Sequence, residues 1–216
     1  MTVDGNCSAP VTIQRDDVLW ITAAAKLQGL MSAASSHLDA GSHVLLVAHS
    51  PASIAELADA AKQANLPIDG LDEAATVSRV AERLRSQPGP CVLLALSGSL
   101  RPPERLTPEP SQNALRVCLL VSERYPLRRR DQDVCVFAMA LGASEATFHL
   151  SLEDPLARTF MGPGVRRMLL TLGATDADWL DSPMINRSIE RAQRRLAKAC
   201  PDHARVEEWL REQAQD

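Results

Sequence analysis

The chain has very few aromatic residues and no excess of positive charge. Phe, Trp and Tyr together make up 3% of its 216 residues, and the formal net charge is −4 at pH 7. Proteins that hold single-stranded nucleic acid stack the bases on aromatic side chains, and proteins that hold the phosphate backbone need many Lys and Arg residues. The composition therefore predicts no specific nucleic-acid partner, and any basic function has to be local.

Several motifs of catalytic and metal-binding sites are also missing. No glycine is followed by lysine, so the sequence lacks a phosphate-binding loop of the Walker A type. The five histidines show no HxxxH or HExxH spacing, the five cysteines form no CxxC pair, and no serine lies in a GxSxG motif. Cys135 has basic neighbours, but the apolar residues on its other side favour a buried, inert thiol. These absences predict no catalytic residue, no resident cofactor and no metal site.

The sequence also shows no membrane span and no targeting segment. No apolar run approaches the roughly 20 residues that cross a bilayer, and the N-terminus lacks the basic and apolar regions of a signal peptide. Residues 1–11 are predicted to form a flexible tail. Because the cysteine count is odd and no pair is evident, a reducing compartment is favoured. We therefore expect a cytoplasmic protein without a transmembrane segment.

What the sequence does contain is an alternation of strand and helix patterns. Short apolar runs predict strands at 43–49, 66–71, 91–96, 116–121 and 148–152. The last of these alternates polar and apolar residues, which predicts a position nearer the edge of the sheet. Helical patterns are predicted over residues 23–40, after Ser50-Pro51, from an N-cap at Asp72 to Ser86, and in the stretch after residue 121. The alternation predicts an α/β fold, a parallel sheet covered by helices.

The C-terminal part is predicted to be helical. From Pro155 onward, apolar residues recur at helical spacing, with breaks at 162–164, Gly173, Ser182-Pro183 and Pro201. We place the boundary between the sheet domain, 12–173, and a helical extension, 174–216, near Gly173.

Two groups of arginines are candidate binding residues. Arg124, Arg128 and Arg129 follow a predicted strand, at the carboxyl edge where α/β sheets bind ligands. The second group lies along one side of the helix after Ser182-Pro183, and the other side of that helix is apolar. Its members are Arg187, Arg191, Arg194, Arg195 and Lys198. This second pattern fits both an amphipathic helix packed on its own domain and a docking surface for a partner.

Three segments resemble the second motor domain of SecA, the ATPase that drives preprotein export. FHLSLEDPLARTFMGPGVRRMLLTLG, beginning at Phe148, resembles the family pattern LSxEDxLxRxF and its closing LG. SPMINRSIERAQRRLA resembles the family's next helix, and ERYPLRRRD, beginning at Glu123, resembles ERHxSRRxD. A similar entry into the domain starts near Thr12, so the resemblance covers about residues 12–198.

The resemblance implies a RecA-like parallel sheet sandwiched by helices, of the superfamily-2 helicase C-terminal type, followed by a helical extension. Compared with the family pattern, this chain also lacks segments that contact the nucleotide. In the family, ERHxSRRxD continues into QLRGRSGRQGD, whose arginines reach the nucleotide phosphates, whereas this chain has DVCVFAMALG. The positions of these phosphate-contacting arginines, called here the finger positions, fall at about Phe137 and Ala140. Neither side chain carries a charge that could stabilise a transition state. The first motor domain and its phosphate loop are absent from the sequence.

These departures predict a degenerate, stand-alone motor domain over 12–173 that is not an enzyme. We expect a non-catalytic binding or accessory factor in protein export, whose partner is a SecA-type ATPase or another secretion component, and which reaches the membrane periphery through that partner. Arg124, Arg128 and Arg129 would be a remnant of the nucleotide edge that leaves room for residual binding of ATP or ADP. Arg187, Arg191, Arg194 and Arg195 would contact the partner. The alternative is one half of a split ATPase that completes a nucleotide site in trans.

Overall fold

A computed structural model describes residues 13–71, 74–104, 115–161, 164–200 and 205–213. The predicted tail, 1–11, and the predicted helix cap Asp72 lie outside these residues. Nine strands are present in the described part of the chain: β1 (Gln14–Trp20), β2 (His43–Ala48), β3 (Ile68–Leu71), β4 (Ala75–Thr76), β5 (Val92–Leu96), β6 (Leu100–Arg101), β7 (Val117–Val121), β8 (Glu145–Ser151) and β9 (Trp179–Leu180). The helices are α1 (Ala23–Asp39), α2 (Pro51–Gln63), α3 (Val77–Arg85), α4 (Arg128–Ala140), α5 (Pro155–Phe160), α6 (Gly164–Thr171), α7 (Pro183–Ala199) and α8 (Val206–Gln213).

Seven strands form one sheet in the order β3-β5-β2-β7-β8-β1-β9. All neighbours pair in parallel except the two-residue β9, which runs antiparallel to β1. Strands β4 and β6 pair separately. A parallel sheet needs cover on both faces, and α1 and α2 pack on one face while α3, α4 and α7 pack on the other. The predicted α/β fold class, a parallel sheet between helices with a helical C-terminal part, is confirmed.

Local sequence signals explain how the helices begin and end. Ser50 caps α2 by accepting a hydrogen bond from the Ser53 amide, and Pro51 occupies its first turn, as predicted. Helix α1 ends before Gly41, whose φ of +78° few other residues adopt. Gly29 is needed for another reason: a Cβ there would overlap the Trp20 ring, which packs directly on α1.

The structure corrects two sequence predictions and contains one strand that the sequence did not predict. Helix α3 begins at Val77 and is capped by Thr76, since the residues before it form the short strand β4. Strand β8 is not near the edge, because it lies between β7 and β1. Strand β1 was missed, because its QRDDVLW sequence is too charged to resemble a buried strand.

Helix α7 packs on the same core as the sheet. Its residues Ile185, Ile189, Ala192 and Leu196 belong to the cluster that includes β1, β7 and β8. The apolar side of the predicted amphipathic helix is thus buried on its own chain. The domain boundary near Gly173 stays a prediction.

Candidate functional site at the carboxyl edge of the sheet

A cleft of about 390 Å³ opens beyond the carboxyl ends of β2, β7 and β8. This is the edge at which open α/β sheets bind ligands. Its wall includes His49 after β2, Ser53 from the first turn of α2, Glu123 and Tyr125 after β7, and Asp154 after β8. The cleft therefore lies where the sequence predicted a remnant nucleotide edge.

Arg124 lines the cleft, but its guanidinium is held inside the protein. Its side chain is fully buried, and its nitrogens lie 3.2 Å from carboxylate oxygens of Asp17 and of Asp131. The guanidinium also lies over the Phe148 ring, 4.4 Å from the centroid. None of its nitrogens makes a well-aligned hydrogen bond, so the contacts are mainly charge pairing. Burial raises the pKa of Asp17, and the Arg124 charge opposes that shift.

Asp131 connects this ion pair to α7. Its carboxylate accepts hydrogen bonds from the Tyr125 amide at 2.9 Å and from Gln193 Nε2 at 2.7 Å. The Gln193 amide also donates to the Tyr125 carbonyl oxygen at 2.7 Å. A buried carboxylate with this many partners fixes the loop after β7 against two helices. Gln193 is one of the residues that carry the resemblance, and its role here is structural.

Glu123 performs a similar task at α2. One of its carboxylate oxygens accepts hydrogen bonds from the His49 amide at 3.2 Å and from the Ser53 hydroxyl at 3.0 Å. Strand β7 is thereby tied to the turn that starts α2.

The LSLED run holds the turn after β8. Asp154 accepts hydrogen bonds from the Ser151 amide and hydroxyl, both at 2.8 Å, and pairs with Lys26 of α1 at 2.8 Å. Glu153 accepts a hydrogen bond from the Ala23 amide, at the N-terminus of α1, where a negative charge is favourable. The matching residues of this run thus connect β8 to α1.

Arg128 and Arg129 are exposed on the first turn of α4. Arg128 lies 3.5 Å from Glu190 of α7, and Glu190 also pairs with Arg15 at 3.0 Å. Of the three arginines predicted at the nucleotide edge, the structure buries Arg124, places Arg128 beside a carboxylate and leaves Arg129 facing solvent. It does not bring them together at the cleft.

The two finger positions of α4 differ in burial. Phe137 has no exposed surface and belongs to the main core cluster, and Ala140 is partly exposed. The neighbouring Cys135 is 7% exposed, and burial raises the pKa of its thiol to about 11. This confirms the interpretation of Cys135 as a buried thiol. Neither finger position can offer a charge to a ligand.

His49 lies between Ser97 and Asp131, a serine, histidine and carboxylate combination that the sequence did not predict. The His49 ring contacts the Ser97 hydroxyl at 2.8 Å through Nδ1, and its Nε2 lies 3.5 Å from Asp131. The second distance is too long for a hydrogen bond, and Ser97 is buried away from the cleft. The arrangement therefore lacks an accessible nucleophile, and it closes the turn after β5.

Arg187, Arg191, Arg194 and Arg195 are all exposed on the outer side of α7. Arg191 and Arg195 line a second cavity of about 360 Å³, together with Phe160 of α5. The structure therefore leaves these predicted partner residues accessible. In the described part of the chain, no helix is both long and apolar enough to cross a bilayer.

Comparison with known proteins supports the resemblance seen in the sequence. The chain is 38% identical to the SecA translocase subunit of Symbiobacterium thermophilum and 33% identical to that of Sulfurovum sp., each over 81 residues. These segments are 37% of this chain and 9% of each relative, so the chain matches only a small part of the SecA proteins. No protein-family model matches the chain.

Solved structures with a similar arrangement include two helicase-type domains. The C-terminal part of the Fun30 ATPase domain gives a TM-score of 0.46 at 11% identity, and covers 80% of this chain and 54% of that one. Domain 2 of the DEAD-box helicase Mss116p gives 0.45 at 12% identity, and covers 84% of this chain and 69% of that one. Identities at this level say nothing about function. The resemblance to SecA predicted from the sequence is confirmed by these 81-residue matches, which cover about a third of this chain.

Proposed function

We propose that this chain is a non-catalytic relative of the SecA motor that acts by binding another protein, as an accessory factor in protein export. The observation that carries the proposal is the burial of Phe137 at a finger position, together with the burial of Arg124 between the carboxylates of Asp17 and Asp131. A finger must place a mobile positive charge on a phosphate, and neither residue can do this. The chain also has no Gly-Lys pair that could form a phosphate loop.

The proposed partner surface is the outer side of α7. Arg187, Arg191, Arg194 and Arg195 are exposed there, and they are separated from the buried stripe of the same helix. Because the chain has a net charge of −4, this concentration of positive charge is local and would favour an acidic partner surface. The SecA likeness makes a SecA-type ATPase the first partner to examine.

The first experiment measures ATP turnover and binding. We expect the purified chain to release no phosphate from ATP, and to bind a purified SecA ATPase in titration calorimetry. Replacing both Arg187 and Arg191 by Glu is expected to weaken that binding. The matched control is Arg85→Glu, an exposed arginine at the end of α3, which is expected to leave binding unchanged.

Different results would separate the alternatives. Turnover by the chain alone, abolished by charge reversal at Arg128 or Arg129, would overturn the non-catalytic function. Turnover that appears only after mixing with a chain that carries a phosphate loop would establish the split ATPase instead. Binding that responds equally to the α7 and Arg85 variants would remove α7 as the partner surface.

A further inference from the structure

Three side chains with different metal-ligand atoms meet at the amino edge of the sheet, on the side opposite the cleft. They are His37 of α1, Cys118 of β7 and Glu145 of β8, called here the His37 cluster. Each offers one ligand atom, and these atoms all lie within 4.8 Å of one another. In the described part of the chain, this is the one group of three or more His, Cys, Asp or Glu side chains so arranged.

The fold brings these residues together although they are far apart in sequence. Strands β7 and β8 pair in parallel with Leu119 opposite Ala146, so the preceding residues Cys118 and Glu145 are neighbours on the other face of the sheet. That face is covered by α1. His37 is one turn beyond Ala34, a buried residue of α1, and therefore extends the sheet-facing side of the helix to the strand ends.

His37 contacts the other two members of the cluster through different ring nitrogens. Only one ring nitrogen can bind a given ion, and one ligand atom from each of the three residues lies within 4.8 Å of the other two. His37 Nε2 lies 3.1 Å from Cys118 Sγ, and His37 Nδ1 lies 3.8 Å from Glu145 Oε1. With usual zinc bond lengths, neighbouring nitrogen and sulfur ligands are about 3.5 Å apart. The Cys118 residue is 2% exposed, whereas the His37 and Glu145 side chains are 29% and 53% exposed. The thiol thus lies at the base of the cluster, and the outer side is open for an ion and a water ligand.

We propose that His37, Cys118 and Glu145 bind a divalent transition-metal ion of the zinc type, with water as the fourth ligand. Imidazole nitrogen and thiolate sulfur together favour zinc over magnesium or calcium, which prefer oxygen ligands. Binding replaces the thiol proton: the S–H bond breaks, a sulfur–metal bond forms, and one H⁺ is released to solvent. The ion would connect the end of α1 to β7 and β8.

A second Cys-His pair in the same sheet serves as an internal comparison. Cys91 Sγ lies 3.6 Å from His43 Nδ1, also at the amino edge. Within the described residues no third ligand group completes this pair. A site that needs three ligands should therefore depend on Cys118 and not on Cys91.

The test is a titration of the full chain with Co²⁺ followed by competition with Zn²⁺. We expect one saturable Co²⁺ site per chain, with a thiolate-to-cobalt charge-transfer band that Zn²⁺ removes. Cys118→Ser should abolish the band. Glu145→Gln and His37→Gln should each weaken binding by at least about 10- to 100-fold, the loss usual for groups that only support a ligand. Both of these side chains are partly exposed, so folding should be preserved, and circular dichroism checks this for each variant.

Cys91→Ser and Cys7→Ser are the matched controls, and both are expected to leave the band and the stoichiometry unchanged. The site would be overturned by a titration without a saturable band, by a band that survives Cys118→Ser, or by equal losses in Cys91→Ser. It would also be overturned if Glu145→Gln and His37→Gln bound Co²⁺ as tightly as the unchanged chain. In that case the cluster is a hydrogen-bonded thiol and imidazole.

Discussion

The stretch from Ser122 to Gly142 contains two regions: the first has polar residues held by contacts inside the protein, and the second has buried apolar residues. In the first region, Glu123, Arg124 and Asp131 are held by a hydrogen bond or an ion pair. Their partners are the His49 amide, the Asp17 carboxylate and the Tyr125 amide, respectively. In the second, Val134, Phe137 and Ala138 of α4 are buried in the main apolar cluster. The first region matches the SecA-like pattern and the second does not. The polar residues of the first region make the contacts that connect the loop after β7 to α2, α7 and β1.

Phe137→Arg is expected to give the largest effect, because it puts a positive charge, as in the SecA-like pattern, into the apolar region. Phe→Ala at a fully buried position costs about 3–5 kcal/mol, and an unpaired buried charge adds to that loss. The loss is comparable with the whole stability of an ordinary domain, so circular dichroism should show a largely unfolded chain. Ala140→Arg, at a partly exposed position of the same helix, should stay folded and remain without ATP turnover. A folded Phe137→Arg variant would contradict the assignment of α4 to the core.

Asp131→Ala tests the polar region. The substitution leaves Arg124 with only Asp17, and it also removes acceptors for the Tyr125 amide and Gln193. Removing one partner of a buried ion pair costs about 3–5 kcal/mol. Urea unfolding should report this loss, while Gln132→Ala, exposed on the same helix, should change stability by less than about 0.5 kcal/mol. A loss of similar size in both variants would mean that the network is not what holds α4 in place.

The buried side chain of His149 predicts how the stability of the protein depends on pH. Its Nδ1 accepts a hydrogen bond from Trp20 Nε1 at 3.1 Å, and burial, with a smaller effect of Lys26, lowers its pKa to about 4. The ordinary value is 6.5, so between pH 6.5 and pH 4 the unfolded chain binds the proton more readily. Stability should therefore decrease as pH falls through this window, by about 3 kcal/mol at most.

Thermal unfolding between pH 7 and pH 4 measures this effect. In His149→Asn the amide oxygen can replace Nδ1 as the acceptor for Trp20, but no proton is taken up. The decrease in melting temperature should be smaller in this variant than in the unchanged chain. Parallel curves for the two proteins would show that other groups cause the acid sensitivity.

Much of the fold followed from the sequence, and the errors have physical causes. The apolar runs of β2, β5 and β7 and the Ser50-Pro51 start of α2 were recognisable, because a parallel strand buried on both faces is continuously apolar. Strand β1 was missed, since Asp17 is buried there as an ion-pair partner of Arg124 and not as a surface residue. The sequence of one strand cannot show that the charge of Asp17 is paired with Arg124, which lies 107 residues further along the chain.

The candidate sites show the same limit. The finger positions were located from the resemblance, and the burial of Phe137 in α4 agrees with the apolar sequence there. The burial of Arg124 was not predicted, because arginine next to a strand end usually faces solvent. The His37 cluster was missed for a different reason: metal-ligand spacing was sought within short motifs, whereas parallel strand pairing brings Cys118 beside Glu145.

Arg128→Ala and Arg129→Ala should have the smallest effects, and they decide whether any nucleotide edge survives. Arg128 is half exposed beside Glu190, and surface ion pairs of this kind contribute about 0–1 kcal/mol. Arg129 is exposed. We therefore expect both variants to unfold within about 1 kcal/mol of the unchanged chain. Titration calorimetry with ADP and ATP should show no binding heat that is lost in either variant. The structure does not bring Arg128 and Arg129 together at the cleft, and Arg124, which lines it, is paired with two carboxylates. Nucleotide binding that is lost in Arg129→Ala would instead place a working phosphate contact on the first turn of α4, and the polar region would then be more than a structural framework.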